Sequence, residues 1–440
     1  MTYDKIVPFN IYNRCYYWLG YNLPCDLNLA VGLLGDIDLE VLKLACKKVI
    51  LKTPVLTTNI KDYLIFLKRK DACISSDFNI NSYFTVSDRR LENPGGIDSI
   101  PDKNTTDFLN SRINLNNELP VKFFFTKGLE KEDCFFILKL SQTVSDIKGG
   151  YIIVSKIFQE YNTLTQTPNK IALPSDPPSY SMNNLRSSKN ETGNDNTERL
   201  RVSFFRDNNS FTGSFNKITF IFEKDCFSKI INFLKKTSYS LDDILFTALA
   251  LSSGEILNEK GGLERFMRFG SNVDLRESLG IKGGISNFSS FWDILLEKDE
   301  LKHAKSAIKL VHDKICASFK KSKDIKRAMK ISFYKYFPSK LLVKYYASRE
   351  KLLFKKPFFT SFLSTINNLE EILETPCGCK IKYSWVSSYP HFSFGLNWNV
   401  STHKDKLFAT LNFLDPVISE DTAFKLTDYF KKAIEHILEN

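Results

Sequence analysis

The chain has 440 residues, more than one hydrophobic core usually holds and enough for two domains, since cores stop growing near about 250 residues. Apolar residues supply 43% and charged residues 25%, a globular composition that excludes a disordered or collagen-like chain. The formal charge is +11, but Lys302 to Lys356 holds 17 Lys or Arg against Asp313, Asp324 and Glu350, a local +14, and the remainder sums to −3. This segment could attract phosphate, an acidic partner protein or an anionic membrane face, or it could be a set of solvated helix faces.

Nine cysteines are scattered without repeated spacing, so a disulfide framework is not expected and reduced thiols in a cytosol are. Cys377-Gly378-Cys379 has no second pair or nearby His to complete a zinc site, and no metal is expected. Met1 to Asn10 carries charges and a Pro in place of a basic and then apolar run, and no apolar stretch reaches about 18 residues. A cytoplasmic chain without a transmembrane segment is the expectation. Thirty-seven Phe and 18 Tyr, beside abundant Lys, Asn and Ile, fit an A/T-biased genome, so aromatic richness alone does not indicate ligand stacking.

In chain order, Asp38 is placed to cap a helix with Leu39, Leu42, Cys46 and Val49 on one face, ending before Pro54. The β-branched run Val55 to Ile60 predicts a strand. Leu119 to Thr126 and Cys134 to Leu140, separated by the polar Lys127 to Asp133, predict an antiparallel pair. Gly149-Gly150 then opens a helix over Tyr151 to Tyr161. Thr163 to about Arg199 turns to Pro, Ser, Asn, Asp and Thr and reads as a linker. Beyond it come a strand at Lys217 to Phe222, a helix at Cys226 to Lys235, and a buried helix at Leu241 to Leu257 with Ser240 as its cap. The expected organisation is a first lobe over 1–165, a linker over 166–200 and a second lobe over 201–440.

Leu140-Ser141-Gln142-Thr143-Val144-Ser145-Asp146 is an apolar strand running into small polar residues ahead of a helix, a place where loops expose side chains to a cleft. Composition alone also fits a turn in which Asp146 bonds local backbone. Several segments together resemble the condensation-domain superfamily of acyltransferases, which includes nonribosomal peptide condensation domains and alcohol acetyltransferases. Its His-His-x-x-x-Asp-Gly signature corresponds to Ser141, Gln142, Asp146 and Ile147, so the framework is similar and the signature is degenerate. Pro8-Phe9-Asn10 resembles the family's opening, and Leu51 to Thr58 its Pro-containing stretch after the first helix. Asn272-Val273-Asp274-Leu275-Arg276 resembles the second-half strand, followed by Gly284-Ile285-Ser286-Asn287. Phe359 to Leu363 resembles a strand bridging the halves, and Leu407 to Leu414 with the helix Asp421 to Leu438 resembles the closing pair.

The resemblance implies an α/β fold of two chloramphenicol-acetyltransferase-like lobes, each a mixed β-sheet flanked by helices, arranged as a V with a tunnel between them. It implies acyl transfer from a coenzyme A or phosphopantetheine thioester to a small alcohol or amine, with no tightly bound cofactor, in secondary metabolite biosynthesis. The family's general base is the second His, where Gln142 has no proton to exchange near neutrality and offers only hydrogen bonds. A slow or non-canonical transferase and an inactive binding module are therefore both open. The resemblance makes Asp146 and Arg276 a structural pair and Thr143, Ser145, Asn287 and Ser361 tunnel candidates, beside Ser141 and Gln142 at the catalytic positions. None of His303, His312, His391, His403 and His436 falls at a matching position, and His391 is the least implausible substitute base. The Lys-rich segment 302–356 could receive an acidic acyl carrier protein. Nucleic-acid binding has only the basic patch in its favour and is not expected.

Overall fold

The computed structural model describes residues 25–63, 66–71, 78–87, 90–129, 133–166, 202–209, 213–262, 264–276, 281, 284–301, 303–322, 339–390 and 395–439. The expected linker over 166–200, the opening segment 8–10 and His391 fall almost wholly outside them.

The first half builds β1 (Asp26–Leu34), α1 (Leu39–Lys52), the hairpin β2 (Thr58–Tyr63) and β3 (Phe66–Asp71), then β4 (Phe84–Val86), α2 (Lys103–Asn110), β5 (Val121–Lys127), β6 (Asp133–Ser141) and α3 (Ile147–Gln166). Asp38 caps α1 by accepting from the Glu40 and Val41 N–H groups, and the helix stops at Thr53. Pro54–Leu56 is a 3₁₀ turn where the sequence predicts a strand from Val55. The proline ring presets a helical φ and lacks an N–H for a ladder, so pairing starts only at Thr58. Helix α3 begins at Ile147, earlier than Gly149-Gly150 suggested. The second half supplies β7 (Ser214–Phe222), α4 (Lys224–Lys236), α5 (Leu241–Glu259), β8 (Phe266–Asp274), β9 (Ser289–Glu297), α6 (Ala304–Ser322), α7 (Ser339–Lys355), β10 (Ser361–Ile366), β11 (Lys380–Ser388), β12 (Leu396–His403), β13 (Lys406–Asp415) and α8 (Glu420–Glu439). Ser240 and Asp243 form a reciprocal capping box at the start of α5.

Both large sheets are mixed. The first runs β11-β1-β6-β5-β4, and only the β4/β5 pair is parallel. The second runs β7-β13-β12-β10-β8-β9, with β10 parallel to both neighbours. The strand containing Ser361 therefore lies inside the second sheet, and the strand that crosses to the other sheet is β11, pairing antiparallel with β1. A resemblance read from five residues could not separate two apolar strands of the same half; register with β1 decides which one crosses.

Alternation sorts the first sheet into two buried faces. Leu27, Leu29 and Val31 of β1 and Phe136 and Leu138 of β6 join α1 and α3 in one core. Ala30, Phe135 and Ile137 face the other way and meet Trp385 of β11, Phe215 of β7 and Leu414 of β13 in a core shared by the two lobes. Lys139 lies on that second face, buried, its Nζ donating to the Phe108, Leu109 and Ser111 carbonyls at the end of α2, where the partial negative charge of the helix terminus favours a cation. The third and largest core packs α4, α5, α6 and α8 on the second sheet.

Candidate functional site

Between the lobes lies a cavity of about 380 Å³. Its walls come from Gln142, the start of α3, the ends of β8 and β10, and Asn287, Ser388 and Asn397. Strand β6 delivers Gln142 to this point: the Gln142 N–H donates to the Cys25 carbonyl at 2.9 Å, and its carbonyl accepts from Asn287 Nδ2 of the second lobe at 3.3 Å. Position 142 is thus held from both lobes. Gln142 lines the cavity and is half-buried there.

Four residues further on, Asp146 is buried at the lobe junction. Its carboxylate accepts from Arg276 Nη1 at 2.9 Å and Nη2 at 2.8 Å, from the Phe288 N–H at 2.8 Å and from the Gly149 N–H at 2.9 Å. Arg276 spends its remaining donors on the Gly284 and Ser286 carbonyls and on Asp274, and its guanidinium stands 4.9 Å from the Phe288 ring centre. Burial disfavours the charge on Arg276, yet Asp146 and Asp274 outweigh it and raise its pKa above the ordinary arginine value. Burial likewise pushes the Asp274 carboxyl up, but Arg276 and Lys148 reverse this and hold it below the usual carboxylate range. Lys148 of α3 meets Asp274 at 2.9 Å. The result is a row of alternating charges, Lys148, Asp274, Arg276 and Asp146, that starts and ends on the first lobe and passes through the second.

The remaining sequence candidates divide. Asn287 lines the cavity, orders its own loop by accepting from the Ser289 N–H and Oγ, and reaches Gln142. Ser141 is buried outside the cavity wall, where its Oγ accepts from the Thr143 N–H in a tight turn. Thr143, Ser145 and Ser361 do not line the cavity either, contrary to the expectation for tunnel residues. The turn that starts at Ser141 directs Thr143 into the interior, Ser145 Oγ is occupied by the Ile285 carbonyl, and Ser361 is buried in the sheet beside Phe269. Sequence reasoning missed Cys25, Lys148, Asp274, Ser388, Tyr389 and Asn397, all of which line the cavity. Only Asp274 carried a signal, as part of the segment ending in Arg276. The Tyr389 hydroxyl donates to the Gly213 carbonyl at 3.3 Å, and burial raises its pKa. Among the described residues no histidine lines the cavity, and no group of three His, Cys, Asp or Glu could hold a metal ion. No helix among them is long and apolar enough to cross a membrane.

No protein-family model matches the chain, and no curated protein sequence does. Solved structures do match along nearly its whole length. The epimerization domain from the third module of tyrocidine synthetase B is 12% identical, with 99% of this chain and 98% of that chain covered and a TM-score of 0.64. The chain has the fold of that domain. Trichothecene 15-O-acetyltransferase from Fusarium sporotrichioides shares this fold at 10% identity, covering 99% of this chain and 95% of its own, with a TM-score of 0.70. Polyketide synthase associated protein 5 from Mycobacterium tuberculosis does so at 13% identity, with full coverage of both chains and a TM-score of 0.64. At such identities the likeness establishes architecture, two lobes with mixed sheets and flanking helices, and leaves the chemistry to the site itself.

Proposed function

We propose that this chain is a condensation-like acyltransferase scaffold that holds an acyl thioester and an alcohol or amine acceptor in the cavity between its lobes and transfers the acyl group slowly, by positioning. The observation that carries this reading is Gln142 at the cavity wall, its backbone bonded to both lobes, with a carboxamide where proton abstraction would need an imidazole. Proximity and orientation can supply several orders of magnitude without a base, while a positioned base typically adds about 10²- to 10⁴-fold. Coenzyme A or a carrier-bound phosphopantetheine is the donor in this proposal, with no tightly bound cofactor. The Lys-rich segment, described over α6 and α7, offers a face to an acidic carrier protein. We place the division into lobes at 1–165 and 201–440, with β11 reaching back from the second to the first, and the protein in a cytoplasmic secondary-metabolite pathway.

A second reading, a non-catalytic module that recruits a carrier protein, partner enzyme or lipid-like metabolite, draws on a separate observation. Asp146, Asp274, Arg276 and Lys148, the acidic and basic side chains on the cavity wall, are all committed to one another. Thiol release from acyl-coenzyme A and acyl-carrier donors, measured for wild type, Gln142→His and Gln142→Ala, separates the two. The transferase reading expects slow turnover in wild type and a gain of about tenfold or more in Gln142→His. Absence of turnover in wild type and Gln142→His with every donor, combined with salt-sensitive carrier binding, would leave only the module.

A further inference from the structure

Away from the cavity, on the outer helix layer of the second lobe, three side chains form an arrangement that acyl transfer does not use. Helix α6 carries His312 and Cys316 four residues apart, one turn of helix, so both project to the same side. His312 Nε2 lies 3.7 Å from Cys316 Sγ. The other ring nitrogen, Nδ1, lies 2.9 Å from Asp243 Oδ2 on the neighbouring helix α5. Asp243 is 1% exposed and is fixed by the capping box, with the Ser240 N–H and Oγ donating to the same oxygen at 2.7 and 2.9 Å. Its Oδ1 is buried with no hydrogen-bond partner among the described residues. The Tyr239 ring meets the imidazole edge-on, 5.4 Å between centres, and limits its rotation.

The geometry fixes the tautomer. A carboxylate can only accept, so Nδ1 carries a proton, and in the neutral imidazole Nε2 then presents its lone pair to the sulfur. Nucleophile, base and a buried carboxylate orienting the base stand in the order that activated thiols require. Cys316 is exposed, so a reagent can reach it.

We propose that Cys316, His312 and Asp243 form an activated-thiol site that undergoes thiol–disulfide exchange with low-molecular-weight disulfides. His312 Nε2 takes the proton from Cys316 Sγ. The thiolate attacks one sulfur of the disulfide R–S–S–R, a mixed disulfide Cys316–S–S–R forms, and R–S⁻ leaves and takes the proton back from the imidazolium. Asp243 acts as a positioning residue, holding the ring and balancing its transient charge. The site does not depend on acyl transfer and stands or falls separately from it.

The test is the rate of modification of each cysteine in the intact protein, followed by peptide mapping after timed exposure to 5,5′-dithiobis(2-nitrobenzoate) and to oxidised glutathione. Cys377, exposed and bonded at its sulfur by the Gln166 amide with no histidine beside it among the described residues, is the internal reference. Cys316 is expected to react about tenfold or more faster than Cys377, and His312→Gln to slow Cys316 to the Cys377 range while leaving Cys377 unchanged. Asp243→Asn, which keeps an acceptor for Ser240, is expected to fall between them. Equal rates at the two cysteines, or an unchanged Cys316 rate in a folded His312→Gln protein, would overturn the proposal.

Discussion

Arg276 holds Asp146 through both terminal guanidinium nitrogens, at 2.9 and 2.8 Å, across 130 residues of chain and the junction between the lobes. The pair is nearly dry, with side chains 3% and 10% exposed, and it is linked to four backbone groups on the loops around it. Removing one partner would leave a buried charge without its counterion. Arg276→Ala is therefore expected to cost about 3–5 kcal/mol, read as a shift in the denaturant midpoint. Arg276→Lys should recover only part of this, because an ammonium lacks the planar fork. A loss below about 1 kcal/mol for the alanine variant would remove the pair from the forces that join the lobes.

The neighbouring bridge from Lys148 to Asp274 spans the same junction but is solvated, with side chains 41% and 34% exposed. Water screens it and two mobile side chains must be ordered to make it. Lys148→Ala should change stability by less than about 1 kcal/mol, and the small effect should shrink further in high salt. Comparing the two variants in one denaturation series measures how far burial, and not charge count, sets the strength of the junction.

Gly149 lets the Ile285 carbonyl of the second lobe come against the first turn of α3. A Cβ there would overlap both that oxygen and Ser145 Oγ, and a backbone carbonyl cannot swing aside as a side chain can. Gly149→Ala is expected to destabilise by about 1–3 kcal/mol through this overpacking. Gly254, inside α5 with open space around it, is the contrast. Gly254→Ala should stabilise by about 0.5–1 kcal/mol, since only backbone entropy changes. Opposite signs in thermal unfolding are the expected outcome.

Asp26 gives a pH signature. Burial raises its carboxyl to about 6, against the opposing pull of Lys139 and the Ile113 N–H. The folded value lies above that of the unfolded chain, so the fold binds the extra proton. The stability this contributes is fully present below about pH 4 and is lost as the pH rises through about 6. Melting of wild type against Asp26→Asn between pH 4 and 7 should show the wild type losing ground as pH rises. A constant difference would place the carboxyl at its ordinary value.

Local signals in the sequence make much of the framework legible. Asp38 and Ser240 announce helix starts because a capping oxygen acts within three residues, and both cap as expected. The apolar runs on either side of the Lys127 to Asp133 turn pair as read, because a short polar connection between two such runs leaves them few other partners. The misplaced strand start at Val55 shows one proline overriding β-branched composition. At the site, Gln142 and Asn287 line the cavity, while Thr143, Ser145 and Ser361 do not. Adjacent small polar residues in a turn look alike in sequence, and only the direction of each Cα–Cβ bond separates them. Cys25, Ser388 and Asn397 had no sequence signal because nothing near them in the chain distinguishes a cavity wall from any strand end.

By itself the sequence determined the chemical inventory, above all a carboxamide at position 142, and the short-range choices that depend on neighbours within a few residues. Tertiary structure alone decided that β11 returns to the first sheet, that Lys148 and Asp274 close a charge row begun by Asp146 and Arg276, and that Asp243 meets His312 beside Cys316. Each of these joins residues from separate elements, and the free energy that selects them comes from burying whole surfaces, which no local stretch of chain records.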